Sequence, residues 1–157
     1  MKLCVTGGAG YVGSVVAEVL VSQGHDVVVL DNLSTGHRDA VPAGCRLVEG
    51  DVRDGDALAR ALDGGIEAVL HFAALSVVAD SMRRPLDYFD NNVSGTTMLA
   101  RAMEARRIRR LVFSSTAAVY GTPAALPIVE DAPCALENPY GWSKLTVEWM
   151  LAAARAE

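Results

Sequence analysis

The chain has 157 residues, 51% of them hydrophobic, with 14 Lys and Arg against 19 Asp and Glu for a formal charge of −5. That is one domain's worth of chain, long enough to bury roughly two-thirds of its unfolded surface without disulfide staples. Net acidity, with a single short basic cluster from Arg101 to Arg110, argues against nucleic acid as a partner. Glu67, His71 and Asp80 interrupt the longest apolar stretch, so none reaches the roughly 18 residues that span a bilayer, and no membrane association is expected. Cys4, Cys45 and Cys134 are odd in number and lack metal-ligand spacing, and the chain opens on a strand-like segment rather than a leader. The expected setting is the reducing cytoplasm.

Taken in chain order, short apolar runs alternate with amphipathic stretches. Leu3–Val5 reads as a first strand and Val12–Gln23 as a helix stopped by Gly24; Val27–Leu30 and Leu47–Val48 read as the second and third strands. Asp54–Leu62 is a helix ended by Gly64 and Gly65, Ala68–Phe72 a fourth strand, Asp87 to about Arg107 one long helix, and Leu111–Phe113 a fifth strand. The last helix, Pro139–Ala154, has Asn138 as its cap and proline at its first position. The strand runs do not alternate, as suits strands buried on both faces, so the expected fold is α/β, a Rossmann-type doubly wound parallel sheet of about five strands with right-handed crossovers. Four of the six prolines fall between Phe113 and the first residue of the last helix, Pro139 included, and a connection of this length is more often functional than filler.

Thr6-Gly7-Gly8-Ala9-Gly10-Tyr11-Val12-Gly13 joins the first strand to the first helix. Gly7 allows the sharp turn, Gly10 lets the backbone approach a pyrophosphate, and Gly13 lets helix pack on strand, so an anion can sit on the free N–H groups of the helix end. Asp31 closes the second strand eighteen residues after Gly13, where a carboxylate can accept both hydroxyls of an adenosine ribose and repel a 2′-phosphate, favouring NAD over NADP. Asp51, after the third strand, can accept from an adenine amino group or cap the helix that begins near Asp54. Tyr140 and Lys144 stand one turn apart on the last helix. An ammonium beside a phenol favours the phenolate and would make Tyr140 a general base. Thr116, in the Ser114-Ser115-Thr116 run at the carboxyl edge of the sheet, is the candidate hydroxyl for the reacting oxygen, with satisfaction of backbone groups as its alternative role. His71 reads as a packed neutral imidazole, and no metal is expected.

Seven segments, 6–13, 31–36, 50–54, 71–74, 90–96, 113–121 and 138–144, together resemble the extended short-chain dehydrogenase/reductases, and among them the nucleotide-sugar 4-epimerases. The match runs through the chain in the family's order. It implies a tightly held NAD and C4 epimerisation of a UDP-sugar, UDP-glucose to UDP-galactose and back, through a transient 4-keto intermediate. By the same resemblance Tyr140 takes the proton of the 4-hydroxyl, Lys144 bonds the nicotinamide ribose and tunes Tyr140, and Thr116 positions the 4-oxygen. The implied cofactor-binding set is Gly7, Gly10, Tyr11, Val12, Gly13, Asp31, Asn32, Ser34, Thr35, Gly36, Asp51, Val52, Phe72, Ala73, Ala74, Asn92, Ser114, Tyr140 and Lys144.

Three positions depart from the family pattern. Thr116 replaces a serine and keeps the hydroxyl, Ala118 stands where a threonine can help bind sugar, and Ser76 stands where a lysine can approach the pyrophosphate. Related dehydratases place acidic residues just after the Ser/Thr, which Ala117 and Ala118 cannot supply. The readings left open are the epimerase or its cofactor-binding portion, another sugar-nucleotide oxidoreductase or dehydratase of the extended family, and a non-catalytic NAD-binding module. The resemblance further implies a homodimer through 87–107 and 139–154. It also implies that residues 1–157 are an incomplete NAD-binding Rossmann domain without its last strands and C-terminal substrate domain, able to hold NAD but weak or inactive in turnover.

Overall fold

A computed structural model describes residues 1–123 and 125–155 and divides the chain into two compact units. The first comprises residues 1–74 and 94–114. Its five strands, β1 (Lys2–Thr6), β2 (Asp26–Asp31), β3 (Arg46–Glu49), β4 (Ala68–His71) and β5 (Leu111–Phe113), form one parallel sheet in the order β3-β2-β1-β4-β5. Helices α1 (Tyr11–Ser22), α2 (Gly55–Ala61) and α5 (Gly95–Ala105) belong to the same unit; α3 (Val78–Arg83) and α4 (Pro85–Tyr88) fall in the other.

Alternate strand residues feed two cores, as the two-residue repeat of a strand requires. Cys4, Val28, Leu30, Val48 and Val69 pack with Leu58, Leu99 and Met103, while Val5, Val27 and Val29 pack with Ala17 and with Leu20 and Val21 of α1. Burial pushes the Cys4 thiol up to about 12, which leaves it a small hydrophobe rather than a nucleophile. The strand order reverses between β1 and β4, so the carboxyl ends of these two strands mark the switch point where open α/β sheets bind ligands.

The second unit comprises residues 75–93 and 115–157, described to residue 155. It holds α3 (Val78–Arg83), α4 (Pro85–Tyr88), a 3-10 turn at Ala117–Tyr120 and α6 (Pro139–Arg155). The cap of α6 is the expected one, with Asn138 Oδ1 accepting from the Gly141 N–H at 2.8 Å.

The helix expected from Asp87 to about Arg107 is an unbroken helical run, 85–105, whose winding changes along its length. Arg84 precedes a proline and takes φ −133°, which separates α3 from α4. A π-helical stretch, Phe89–Ser94, then joins α4 to α5 and carries the chain from one unit to the other. Inside it the Asn92 side chain accepts from the Leu75 N–H and donates to the Leu75 carbonyl; π turns of this kind occur mostly as short bulges inside α-helices.

Candidate functional site

The cofactor-binding residues expected in the first unit lie at and just beyond the carboxyl ends of the five strands. Gly7 has φ +72°, and a Cβ there would lie 2.5 Å from the Ala73 N and 2.8 Å from the Phe72 carbonyl carbon. The turn therefore needs glycine twice over, for its backbone angle and for close approach to the segment leaving β4. A Cβ on Gly13 would drive into the Gly7 carbonyl, so Gly13 seats α1 on its own entry loop. At Gly10 the only neighbour a Cβ would meet is the Gly7 oxygen, at 3.4 Å, which leaves an open approach to the helix end.

The first bond within the α1 ladder runs from the Ser14 N–H to the Gly10 carbonyl at 2.9 Å. The N–H groups of Tyr11, Val12 and Gly13 precede it, the cap carries no side-chain hydrogen bond, and no acidic residue occupies the first turn. Positive dipole and free donors together make an anion site that fits a pyrophosphate. The Tyr11 and Val12 side chains are exposed beside it.

Asp31 is buried and grips the loop. Its Oδ2 accepts from the Ala9 N–H at 2.9 Å and its Oδ1 from the Leu33 N–H at 2.8 Å. A carboxylate has about four lone-pair sites, so each oxygen keeps one for a ribose hydroxyl. Asn32 donates to Asp51 Oδ2 at 2.9 Å, and its own oxygen accepts from the Ser34 N–H at 3.0 Å. Gly36 lies against Ala9, where a Cβ would come within 2.9 Å, and the Ser34 and Thr35 side chains are exposed.

Asp51 is held on the other side by Arg53, whose Nε and Nη2 both reach the carboxylate at 2.8 Å. Those bonds, with Asn32, hold its carboxyl far below the ordinary range and keep it an anionic acceptor. It does not cap α2. Asp54 does, accepting from the Asp56 N–H at 2.9 Å. The Val52 side chain is buried in the core against Gly95, so this residue offers an adenine its backbone only. Phe72, Ala73 and Ala74 follow β4 half-buried, with the Phe72 N–H bonded to the Thr6 carbonyl at 2.9 Å, and the Ser114 N–H bonds the His71 carbonyl at 3.2 Å.

The residues expected to do chemistry, Tyr140, Lys144 and Thr116, lie in the second unit, as does Asn92 of the expected cofactor-binding set. Tyr140 and Lys144 occupy successive turns of α6, and the Tyr140 ring meets the buried Tyr88 edge to face at 6.3 Å. Lys144 is 3% exposed. Burial pulls its ammonium down from 10.5 to about 8, opposed in part by Glu148 one turn further on. Thr116 accepts from the Ala118 N–H at 3.1 Å, so it caps the 3-10 turn as the alternative reading held. Its hydroxyl proton is not used in that bond. A Cβ on Gly141 would lie 2.9 Å from the Ala118 carbonyl oxygen, so glycine lets the first turn of α6 close on the Thr116 loop.

Two contributors were not legible in the sequence. Ser143 donates to the Tyr140 carbonyl at 2.8 Å and accepts from Asn92 Nδ2 at 2.9 Å. Asn92 in turn accepts from the Leu75 N–H at 2.8 Å and donates to the Leu75 carbonyl at 3.0 Å. Asn92 therefore holds α6 at the Tyr–Lys pair. Glu148 also accepts a hydrogen bond from the Ser115 hydroxyl, tying the Thr116 segment to α6. A buried serine between Tyr140 and Lys144 was the available signal. Among the described residues no cluster of His, Cys, Asp and Glu could hold a metal ion.

Residues 3–157 match the family described as the NAD dependent epimerase/dehydratase family. The UDP-glucose 4-epimerase of Streptomyces lividans is 55% identical over 99% of this chain and 48% of its own length, and that of Corynebacterium glutamicum is 51% identical over 99% of this chain and 47% of its own. The crystal structure of UDP-glucose 4-epimerase from Brucella ovis in complex with NAD is 44% identical and superposes with a TM-score of 0.93 over 97% of this chain and 47% of that one. The chain thus spans about half the length of the curated relatives it matches. With the glycine loop, the carboxylate after β2 and the Tyr–Lys helix each in place, the chain belongs to the NAD-dependent epimerase/dehydratase family.

Proposed function

We propose that this chain holds NAD and carries the proton-transfer residues for C4 epimerisation of a UDP-sugar, interconverting UDP-glucose and UDP-galactose through a 4-keto sugar. The observation that carries the reading is the pair on α6, with Lys144 buried one turn after Tyr140 and Thr116 in the same unit. That the Streptomyces lividans and Corynebacterium glutamicum relatives are UDP-glucose 4-epimerases, and that the Brucella ovis enzyme holds NAD, supports the same reading.

NAD, when bound, supplies a hydride acceptor and donor, so the reaction has no net redox change. The N–H groups at the start of α1 would take its pyrophosphate, Asp31 its adenosine ribose, Asp51 and the Val52 backbone its adenine, and Phe72–Ala74 its channel. Asn32, Ser34, Thr35, Gly36 and Ser114 line the same loops. Tyr140 takes the proton of the sugar 4-hydroxyl and gives it back on the return half of the reaction. Thr116 directs its hydroxyl at the 4-oxygen while its lone pair keeps the cap. Lys144, pulled down by burial to about 8, still carries its charge for the most part at pH 7 and stands one turn after Tyr140 on α6. Asn92 positions α6.

The dehydratase reading needs an acid after Thr116, and Ala117 and Ala118 offer none. A homodimer is in keeping with Trp142 and Trp149, exposed seven residues apart on α6. A cytoplasmic setting fits the free cysteines. Among the described residues no helix is long and apolar enough to cross a membrane.

The test is a coupled assay, run in D2O with UDP-galactose and NAD, of a full-length version that carries this chain with a substrate domain. UDP-glucose should form without net NADH, and C4 should carry no solvent deuterium. Deuterium at C4, or elimination product in place of UDP-glucose, would refute the proposal.

A further inference from the structure

We propose that Thr6, His71 and Thr96 form a hydrogen-bonded positioning chain that fixes the glycine loop in its dinucleotide-binding geometry. His71 Nδ1 lies 2.5 Å from Thr6 Oγ1 and Nε2 lies 2.9 Å from Thr96 Oγ1; His71 is 2%, Thr6 0% and Thr96 1% exposed. The imidazole therefore links the last residue of β1, the last residue of β4 and the second residue of α5. Its ring also stacks at a tilt on Phe113 of β5, centroids 5.9 Å apart.

Both strand anchors lead straight into segments that the dinucleotide reading needs. Thr6 runs directly into Gly7, and His71 runs directly into Phe72 and Ala73. Gly7 and Ala73 are already at contact, since even one added carbon would lie 2.5 Å from the Ala73 nitrogen. There is no slack at this point, so a change in the β1–β4 spacing passes straight into the loop. The backbone pairing at the same level, Phe72 N–H to the Thr6 carbonyl, fixes the strands along their length but leaves their splay to the side chains.

Chemistry also favours this trio over an apolar plug. A neutral imidazole has one donor and one acceptor, and a threonine hydroxyl serves as either, so both ring nitrogens are satisfied in one of two directions along the chain. A buried polar group that loses its partner is costly, so each link holds its neighbour to a narrow separation. An apolar plug would fill the same volume without that directional constraint.

The inference rests on the NAD-binding reading, and its test separates the two. Thr6→Val, Thr6→Ser and Thr96→Val would be compared with the parent chain by NAD titration calorimetry, urea unfolding and amide hydrogen exchange at Gly7, Gly10 and Ala73. Thr6→Val and Thr96→Val should weaken NAD binding about tenfold and speed exchange locally at those amides, and Thr6→Ser should restore both to within about twofold. Stability loss with unchanged NAD affinity and unchanged local exchange would overturn the proposal. Should the parent chain not bind NAD, the cofactor reading fails on its own; faster local exchange in the valine variants would still support the positioning chain, and unchanged exchange would overturn it. If Thr6→Val does not fold, Thr96→Val carries the same comparison from the α5 side.

Discussion

Lys144→Met isolates the electrostatic character of the α6 site. The substitution keeps an unbranched side chain of similar length in a position 3% exposed and removes the titrating group. In the folded chain the ammonium is pulled from 10.5 down to about 8, so folding disfavours its charged form. Below pH 8 both folded and unfolded chains hold the proton and the folded state bears the full cost. Between pH 8 and 10.5 the unfolded chain binds more protons, so stability rises with pH, and above 10.5 the cost is gone. At 1.36 kcal/mol per pH unit the difference amounts to roughly 3 kcal/mol. Urea unfolding of the parent and variant chains at pH 7 and pH 10.5 measures it, since other groups cancel in the difference. Parent stability minus variant stability should climb by about 3 kcal/mol across that window. A flat difference would mean that Lys144 keeps an ordinary solvated ammonium, and the argument for its role beside Tyr140 would lose its physical basis.

Gly13→Ala should destabilise the chain by about 1–3 kcal/mol in urea unfolding despite alanine's better helix propensity, because the new carbon meets the Gly7 carbonyl; a gain in stability would refute the packing. Asp31→Asn places an NH2 against either the Ala9 or the Leu33 N–H, at a cost of about 1–3 kcal/mol, and should narrow the preference for NAD over NADP in binding titrations. Ser143→Ala should cost only about 0.5–1.5 kcal/mol by the same unfolding assay, since Asn92 keeps both bonds to Leu75; Asn92→Ala, which removes those bonds as well, should cost more.

The sheet was legible because its strands are buried on both faces and therefore appear as unbroken aliphatic runs, as in Val27–Leu30. Gly7 and Gly13 were legible because each answers a steric demand that no other residue meets. The π-helical stretch within 87–107 was not, and Asn92 inside it bonds to the Leu75 backbone seventeen residues away. Nothing in local propensity reports such a bond. Asp51 shows a related limit: its place in the sequence left an adenine acceptor and a cap of α2 both open, while in the fold Arg53 and Asn32 hold the carboxylate and Asp54 takes the cap. For Thr116 both readings of the hydroxyl hold in part, one lone pair on the backbone and the proton left to donate.

Tyr140→Phe is the most direct test of the central claim. The change deletes one phenolic oxygen and keeps the ring that meets Tyr88. In a full-length version that carries this chain with a substrate domain, bound NAD, read from the absorbance spectrum and by titration, should be unchanged, while conversion of UDP-galactose to UDP-glucose should fall by a factor on the order of 10² to 10⁴, the usual contribution of a positioned general base. Turnover retained with NAD bound would contradict the assignment of Tyr140 as the proton-transfer group and, with it, the proposed reaction at α6.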